Sequence, residues 1–274
     1  MIIFPSTMHA HTQYGDGKNS PEEMVLAAID LGFSSIGIAE HAWAPYDLDV
    51  CIPKSRMQAY RTDLTHLKEK YAGKIEVSCG LEVDFYQLYE KADWDHIVGS
   101  VHYVRSEKTE KYYTVDWRPA IFEAGIQDAG GGSAQAFIEL YGANVLSLAE
   151  NYQPTILGHL DVIDKLNRGN RFFDPTAAWY KTMWETITAA IAKSGCVTEV
   201  NTGGMGRGYI DHPYPSSDIL RMLHAKNAPV TICSDAHEKE MLDYGFDIAL
   251  DVLRDVGYKS VKLWRGGKFV DFAI

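Results

Sequence analysis

Residues 35–41 read Ser35-Ile36-Gly37-Ile38-Ala39-Glu40-His41, a short run of small and β-branched residues that ends on a carboxylate and an imidazole. A brief apolar run without alternation is the pattern of a parallel strand buried on both faces, with the polar pair at its C-terminal end. The same phrase recurs along the chain. Met8-His9-Ala10-His11 follows Ile2-Ile3-Phe4, with Asp16 soon after, and Gly80-Leu81-Glu82 follows Ile75-Glu76-Val77. Gly99-Ser100-Val101-His102, Ile156-Leu157-Gly158-His159 and Thr231-Ile232-Cys233-Ser234-Asp235-Ala236-His237 repeat it. Six of the ten histidines therefore stand at or just beyond a strand end. His66 and His224 fall on helical stretches, His96 precedes its strand, and His212 lies in a proline-flanked loop. One histidine at a strand end is ordinarily a polar group satisfied by the backbone. Six in register with successive strands read as a ligand set.

Helical patterns separate these runs. Ser20-Pro21-Glu22-Glu23 combines a capping serine, a first-turn proline and a capping-box glutamate, and Gly32 closes that helix. Pro53 to Tyr71 carries Met57, Tyr60, Leu64 and Leu67 at helical spacing, and residues 134–150, 175–192, 216–224 and 241–256 read likewise. Strands are expected at about 2–9, 35–40, 75–82, 97–102, 155–159, 196–201 and 229–234, and a terminal hairpin at 261–264 and 268–272 around Gly266-Gly267. Seven parallel strands with crossover helices predict an α/β fold, a TIM-like (β/α)7 barrel, one strand short of the usual number. The expected organisation is one domain over 1–274, with a rim or lid insertion at about 105–133 that ends in Asp128-Ala129-Gly130-Gly131-Gly132-Ser133.

Composition narrows the function. The 274-residue chain is 46% hydrophobic, enough for one large core. Its formal charge of −11 argues against a nucleic-acid groove, which must neutralise phosphates. Cys51, Cys79, Cys196 and Cys233 form no CxxC pair and read as buried thiols of a reducing compartment. With no leader pattern and no apolar run of about 18 residues, a soluble cytoplasmic protein without a membrane partner is expected.

Parallel strands bring their C-terminal ends to one face of a barrel, the face that carries chemistry. His9, His11, Asp16, His41, Glu82, His102, His159, Asp235 and His237 should converge there. Nine ligands exceed one tetrahedral ion and suit about two or three divalent ions, with Glu82 as a bridge.

These residues, in this order, resemble the motifs of the PHP (polymerase and histidinol phosphatase) superfamily: His9-Ala10-His11, Glu40-His41, Gly80-Leu81-Glu82, His102, Gly158-His159 and Ser234-Asp235-Ala236-His237. Asp16-Gly17-Lys18-Asn19-Ser20, Gly99-Ser100-Val101-His102 and the loop with Asn201-Thr202-Gly203-Gly204, Arg207-Gly208-Tyr209 and Tyr214-Pro215-Ser216 resemble its monofunctional histidinol-phosphate phosphatases. The resemblance implies a distorted (β/α)7 barrel with a trinuclear site of zinc, manganese or iron at its C-terminal face. His9, His11, Glu82 and Asp235 would hold the first metal, Glu82, His102 and His159 the second, and Asp16, His41 and His237 the third. Asp16 stands where relatives carry a histidine and offers a harder oxygen ligand.

The implied reaction is hydrolysis of L-histidinol phosphate in histidine biosynthesis by a metal-bridging hydroxide, with a third ion on a phosphoryl oxygen. Arg207, in the glycine run after the sixth strand, is expected to clamp phosphate, with Arg168 second and Lys18 third. The acid for the leaving group is unassigned between a metal-bound water and Asp161, which could instead support His159. A PHP phosphodiesterase or nucleotide phosphatase would use the same ligands. A metal-stabilised, non-catalytic scaffold is disfavoured by the complete ligand set, and a serine hydrolase by the lack of a Gly-x-Ser-x-Gly elbow.

Overall fold

The computed structural model describes residues 4–274. Seven strands, Ser6–Thr7, Ser35–His41, Glu76–Asp84, His96–Ser100, Ile156–Leu157, Val197–Asn201 and Val230–Cys233, lie side by side in chain order, every neighbouring pair parallel. The first and last strands meet just beyond their ends, where Asp235 N–H donates to His9 O at 2.9 Å and His11 N–H to Ala236 O at 2.8 Å. This seam nearly closes the distorted TIM-like barrel that the alternating pattern predicts. The first two residues of the expected 2–9 strand lie outside the described residues, and within them the ladder is only Ser6–Thr7.

The helices form where capping and apolar spacing coincide. Ser20 Oγ accepts from Glu23 N–H and the Glu23 carboxylate accepts from Ser20 N–H, so the capping box starts Pro21–Asp30 as read. Helix Met57–Lys70 turns Tyr60, Leu64 and Leu67 inward. The Tyr60 hydroxyl is shared between Ile38 O at 2.9 Å and Gly80 O at 2.8 Å, tying the second and third strands together. Helices Ala134–Ser147, Ala178–Ser194, Ser217–Ala225 and Phe246–Val256 complete the outer layer.

The N-terminal end of the barrel is plugged. Trp264, on the hairpin of Ser260–Trp264 and Phe269–Ala273, packs with Met8, Ala39, Val98, Ile156 and Cys233. His96 begins the fourth strand instead of preceding it and is fully buried, with Nε2 donating to Met8 O at 2.8 Å and Nδ1 accepting from Ser78 Oγ at 2.8 Å. Its ring passes directly over Gly80, where any Cβ would collide with it. All four cysteines are free and buried. Among the described residues no helix is long and apolar enough to cross a membrane.

Two segments are more regular than their sequence suggests. Residues 105–133 contain part of a hairpin, Tyr103–Arg105 with Tyr112–Thr114, and then helix Pro119–Asp128, which buries Phe122 and Ile126 one turn apart. The glycine run after the sixth strand is a single helical turn, Gly203–Gly206, and not an open loop.

Candidate metal centre

The strand ends bring all nine candidate ligands together around Glu82. Its Oε2 lies 3.2 Å from His9 Nε2, 3.6 Å from His11 Nε2 and 2.8 Å from His41 Nδ1. Its Oε1 lies 3.0 Å from His102 Nε2 and 2.9 Å from His159 Nε2, and accepts from Ser100 Oγ at 2.7 Å. Asp235 Oδ1 stands 3.1 Å from His11 Nε2 and 3.9 Å from His9 Nε2. Asp16 Oδ2 is 3.2 Å from His237 Nε2. Three groups, His9 with His11 and Asp235, His41 with Glu82 and His102, and His11 with Asp16, His41 and His237, each gather ligand atoms within 4.8 Å of one another. His41 and His11 thus stand between groups that the sequence keeps apart.

Backbone conformation aims Asp235. Its φ of 48° is left-handed, unusual for any residue but glycine, and Gly203 packs so closely behind it that a Cβ there would lie 2.9 Å from Asp235 Oδ2.

A second tier of carboxylates was not legible as part of the site. Glu199, fully buried in the sixth strand, accepts from His9 Nδ1 at 2.9 Å through Oε2, and from His159 N–H at 2.7 Å and the Asn201 amide at 2.8 Å through Oε1. The one signal for it was a glutamate inside the otherwise apolar run Val197-Thr198-Glu199-Val200. Asp116 Oδ2 approaches His102 Nδ1 at 3.6 Å, and Glu40 accepts from the Thr12 N–H at 2.8 Å and from its hydroxyl.

The donor set fits divalent cations. With its Nδ1 proton on Glu199, His9 presents a bare Nε2 lone pair, 3.1 Å from His11 Nε2 and facing two carboxylates. His11 Nδ1 is buried with no hydrogen-bond partner among the described residues. Burial opposes charge on Glu82, yet the His41, His9 and His102 imidazoles hold its carboxyl well below the usual range. Burial likewise lowers His41, but Glu82 and Asp16 outweigh it and carry the ring up to about 9. His9 and His102 rise against burial for the same reason, facing Glu199 and Glu82 or Glu82 and Asp116. Burial, with His237 and His41 opposite, pushes His11 down to about 3. The carboxylates make this a place where positive charge is favoured, and metal ions supply that charge to neutral imidazoles.

The groups expected to meet substrate divide. Arg207 reaches the site, but one Nη1 donates to Asp235 O at 2.9 Å and approaches His237 Nδ1 at 3.0 Å, and Nη2 donates to Asp235 Oδ2 at 3.0 Å. Arg168, just beyond the 3-10 segment Val162–Leu166, lines a neighbouring cavity with Asn167, Asn170 and His212. Lys18 is largely exposed and paired with Glu238. Asp161 is fully buried, its Oδ2 accepting from Ser216 N–H at 2.8 Å, so it secures the segment after Tyr214 and does not line the cavity.

That cavity, of about 450 Å³, has two chemistries. His41, Glu82, His102, His159, Asp235 and His237 form one wall. The other is formed by Tyr46, Asp47, Tyr103, Tyr112 and Trp117, with the Tyr46 and Tyr112 rings stacked at 4.1 Å and Tyr103 edge-on to Tyr46 at 5.0 Å.

The PHP domain family model matches residues 7–203. A Deinococcus radiodurans protein named a probable histidinol-phosphatase is 28% identical over 264 residues, spanning 92% of this chain and 94% of its own. The crystal structure of a Listeria monocytogenes protein described as a candidate histidinol phosphatase shares the fold at a TM-score of 0.77 and 22% identity, covering 89% of this chain and 99% of that one. The histidinol phosphate phosphatase of Lactococcus lactis subsp. lactis, crystallised with zinc, L-histidinol and phosphate, gives a TM-score of 0.68 at 18% identity over 98% of this chain and 100% of its own.

Proposed function

The chain belongs to the PHP domain family, and from that premise we propose that it is a metal-dependent phosphomonoesterase acting on L-histidinol phosphate, a step of histidine biosynthesis. The observation that carries this reading is the two-walled cavity. A ligand cluster rich in lone pairs faces a wall of tyrosines with a carboxylate, which suits a dianionic phosphate joined to a flat, cationic imidazole and amine. The curated relative with that name, alike over nearly its whole length, supports the same reading.

In this proposal His9, His11, Glu82 and Asp235 hold one cation, Glu82, His102 and His159 a second, and Asp16, His41 and His237 a third. When bound, such ions lower the pKa of a water that becomes the nucleophile and neutralise charge on the phosphoryl oxygens. The protein's part is placement. Glu199 fixes the His9 tautomer, and Arg207 and Gly203 hold Asp235 in its left-handed conformation. With Nη1 and one Nη2 hydrogen engaged, Arg207 retains its Nε–H and a second Nη2–H for a phosphoryl oxygen. Tyr46 and Tyr112 offer a stacking face, and Asp47 a counter-charge for the ammonium. Leu48, Trp117 and Tyr209 are exposed around the mouth, where they shield the site from water when substrate fills it.

Steady-state comparison of phosphate esters tests the reading. A site that uses the imidazole and amine should give histidinol phosphate a kcat/KM at least ~10²-fold above p-nitrophenyl phosphate, despite the better leaving group of the latter. Equal efficiency on both, or faster turnover of a nucleotide diester, would overturn the substrate assignment.

A further inference from the structure

The reaction needs a group that receives the developing alkoxide, and none of the residues singled out in the sequence reaches that place. Besides the histidines, two basic side chains line the cavity among the described residues, Arg207 and Lys165. Arg207 is largely engaged with Asp235. Lys165 is not. It projects from the 3-10 segment that follows the fifth barrel strand, only 12% exposed, with Nζ 4.4 Å from the centroid of the Tyr209 ring. Its one carboxylate partner among the described residues, Asp116 Oδ2, is 3.5 Å away, at the outer limit of a hydrogen bond, so an ammonium with three donors has capacity left.

The position of Asp116 says what that capacity faces. On one side it approaches His102 in the ligand wall at 3.6 Å. On the other it lies in the bend just after the strand Tyr112–Thr114, whose Tyr112 belongs to the aromatic wall. Lys165 and Asp116 therefore stand at the junction of the two walls. A phosphate ester with its phosphoryl group on the ligands and its organic half on the tyrosines puts its bridging oxygen at that junction.

We propose that Lys165 is the proton donor to the leaving oxygen. Water adds to phosphorus, the bond between phosphorus and the ester oxygen breaks, and that oxygen takes a proton from the Lys165 ammonium to leave as the alcohol. The neutral amine regains a proton from the one released by the attacking water, and the net products are alcohol and inorganic phosphate. The assignment rests on the phosphomonoesterase reading.

Two esters and two variants test it. In Lys165→Met, kcat/KM for histidinol phosphate, whose alkoxide cannot leave unprotonated, should fall by roughly 10²-fold or more, the scale of general-acid catalysis. The same variant should keep p-nitrophenyl phosphate hydrolysis within about threefold, since that phenolate needs little help from an acid. Lys165→Arg retains the charge beside Asp116 but holds its proton, so it should keep the aryl rate and leave most of the alkyl loss unrepaired. Equal losses on both esters in Lys165→Met, an unchanged alkyl rate, or full alkyl activity in Lys165→Arg would each overturn proton donation. A parent enzyme inert toward both esters would refute the phosphatase reading itself, and the proposal with it.

Discussion

Replacing Glu199 by glutamine keeps its size and removes its charge, and the hydrogen bonds around it show why the substitution cannot be silent. Its two oxygens accept from three N–H donors: His9 Nδ1 at 2.9 Å, His159 N–H at 2.7 Å and the Asn201 amide at 2.8 Å. Glutamine has one oxygen. Turned to His9, it points its own NH2 group at two further donors. Turned to His159, it points that group at His9 Nδ1 and drives the imidazole proton to Nε2, where ligation needs a lone pair. Losing such an outer partner costs about 10–100-fold in metal affinity or activity, roughly 1.4–2.8 kcal/mol at about 1.4 kcal/mol per tenfold. The buried donor left unpaired adds a folding cost of about 1–3 kcal/mol. Zinc affinity by equilibrium dialysis, read beside kcat/KM and the denaturation midpoint, measures all three. A Glu199→Gln protein with parental zinc affinity and rate would refute the reasoning that this carboxylate sets the His9 tautomer.

Other perturbations probe different links. Arg207→Ala removes a guanidinium bonded to Asp235, so kcat/KM should fall by roughly 10²-fold, and zinc affinity should weaken as well; a loss of rate with intact metal binding would restrict Arg207 to the phosphate. Asp47→Asn should lower kcat/KM for histidinol phosphate by about tenfold or more while sparing p-nitrophenyl phosphate, which has no ammonium; equal losses would remove Asp47 from amine recognition. His96, which burial lowers to about 4, binds protons less readily folded than unfolded. Its contribution is therefore complete above the unfolded value of about 6.5 and is lost as pH falls toward 4, by about 3 kcal/mol in all. Urea denaturation at about pH 7 and pH 4.5 should show a smaller acid loss in His96→Gln than in the parent, and parallel losses would contradict the assignment.

What could be read in the sequence follows from geometry. A residue at the C-terminal end of a parallel barrel strand has one place to go, so the order of His9, His41, Glu82, His102, His159 and Asp235 along the chain is enough to bring them together. Residues on connections carry no such constraint. Lys165 and Arg168 are three positions apart, yet Lys165 borders both the site cavity and its neighbour while Arg168 lines the neighbour alone. Glu199 was hidden differently, because alternation gives its face of the strand and not the imidazole opposite, which comes from a residue 190 positions away. Helix Pro119–Asp128 was masked by the polar and aromatic residues around it, and its buried Phe122 and Ile126 form too short a periodicity to stand out. The glycines at 203 and 204 read as an open loop, whereas Gly203 is there for close approach to Asp235.

The central claim is that the convergent strand-end ligands form a catalytic centre of more than one ion. It is tested most directly by stripping the protein with a chelator and titrating zinc back while phosphate release from histidinol phosphate is followed. The account predicts negligible turnover in the stripped protein and a rate that climbs until about two to three equivalents per chain are bound. Full activity in the stripped protein, or a plateau at about one equivalent, would contradict it.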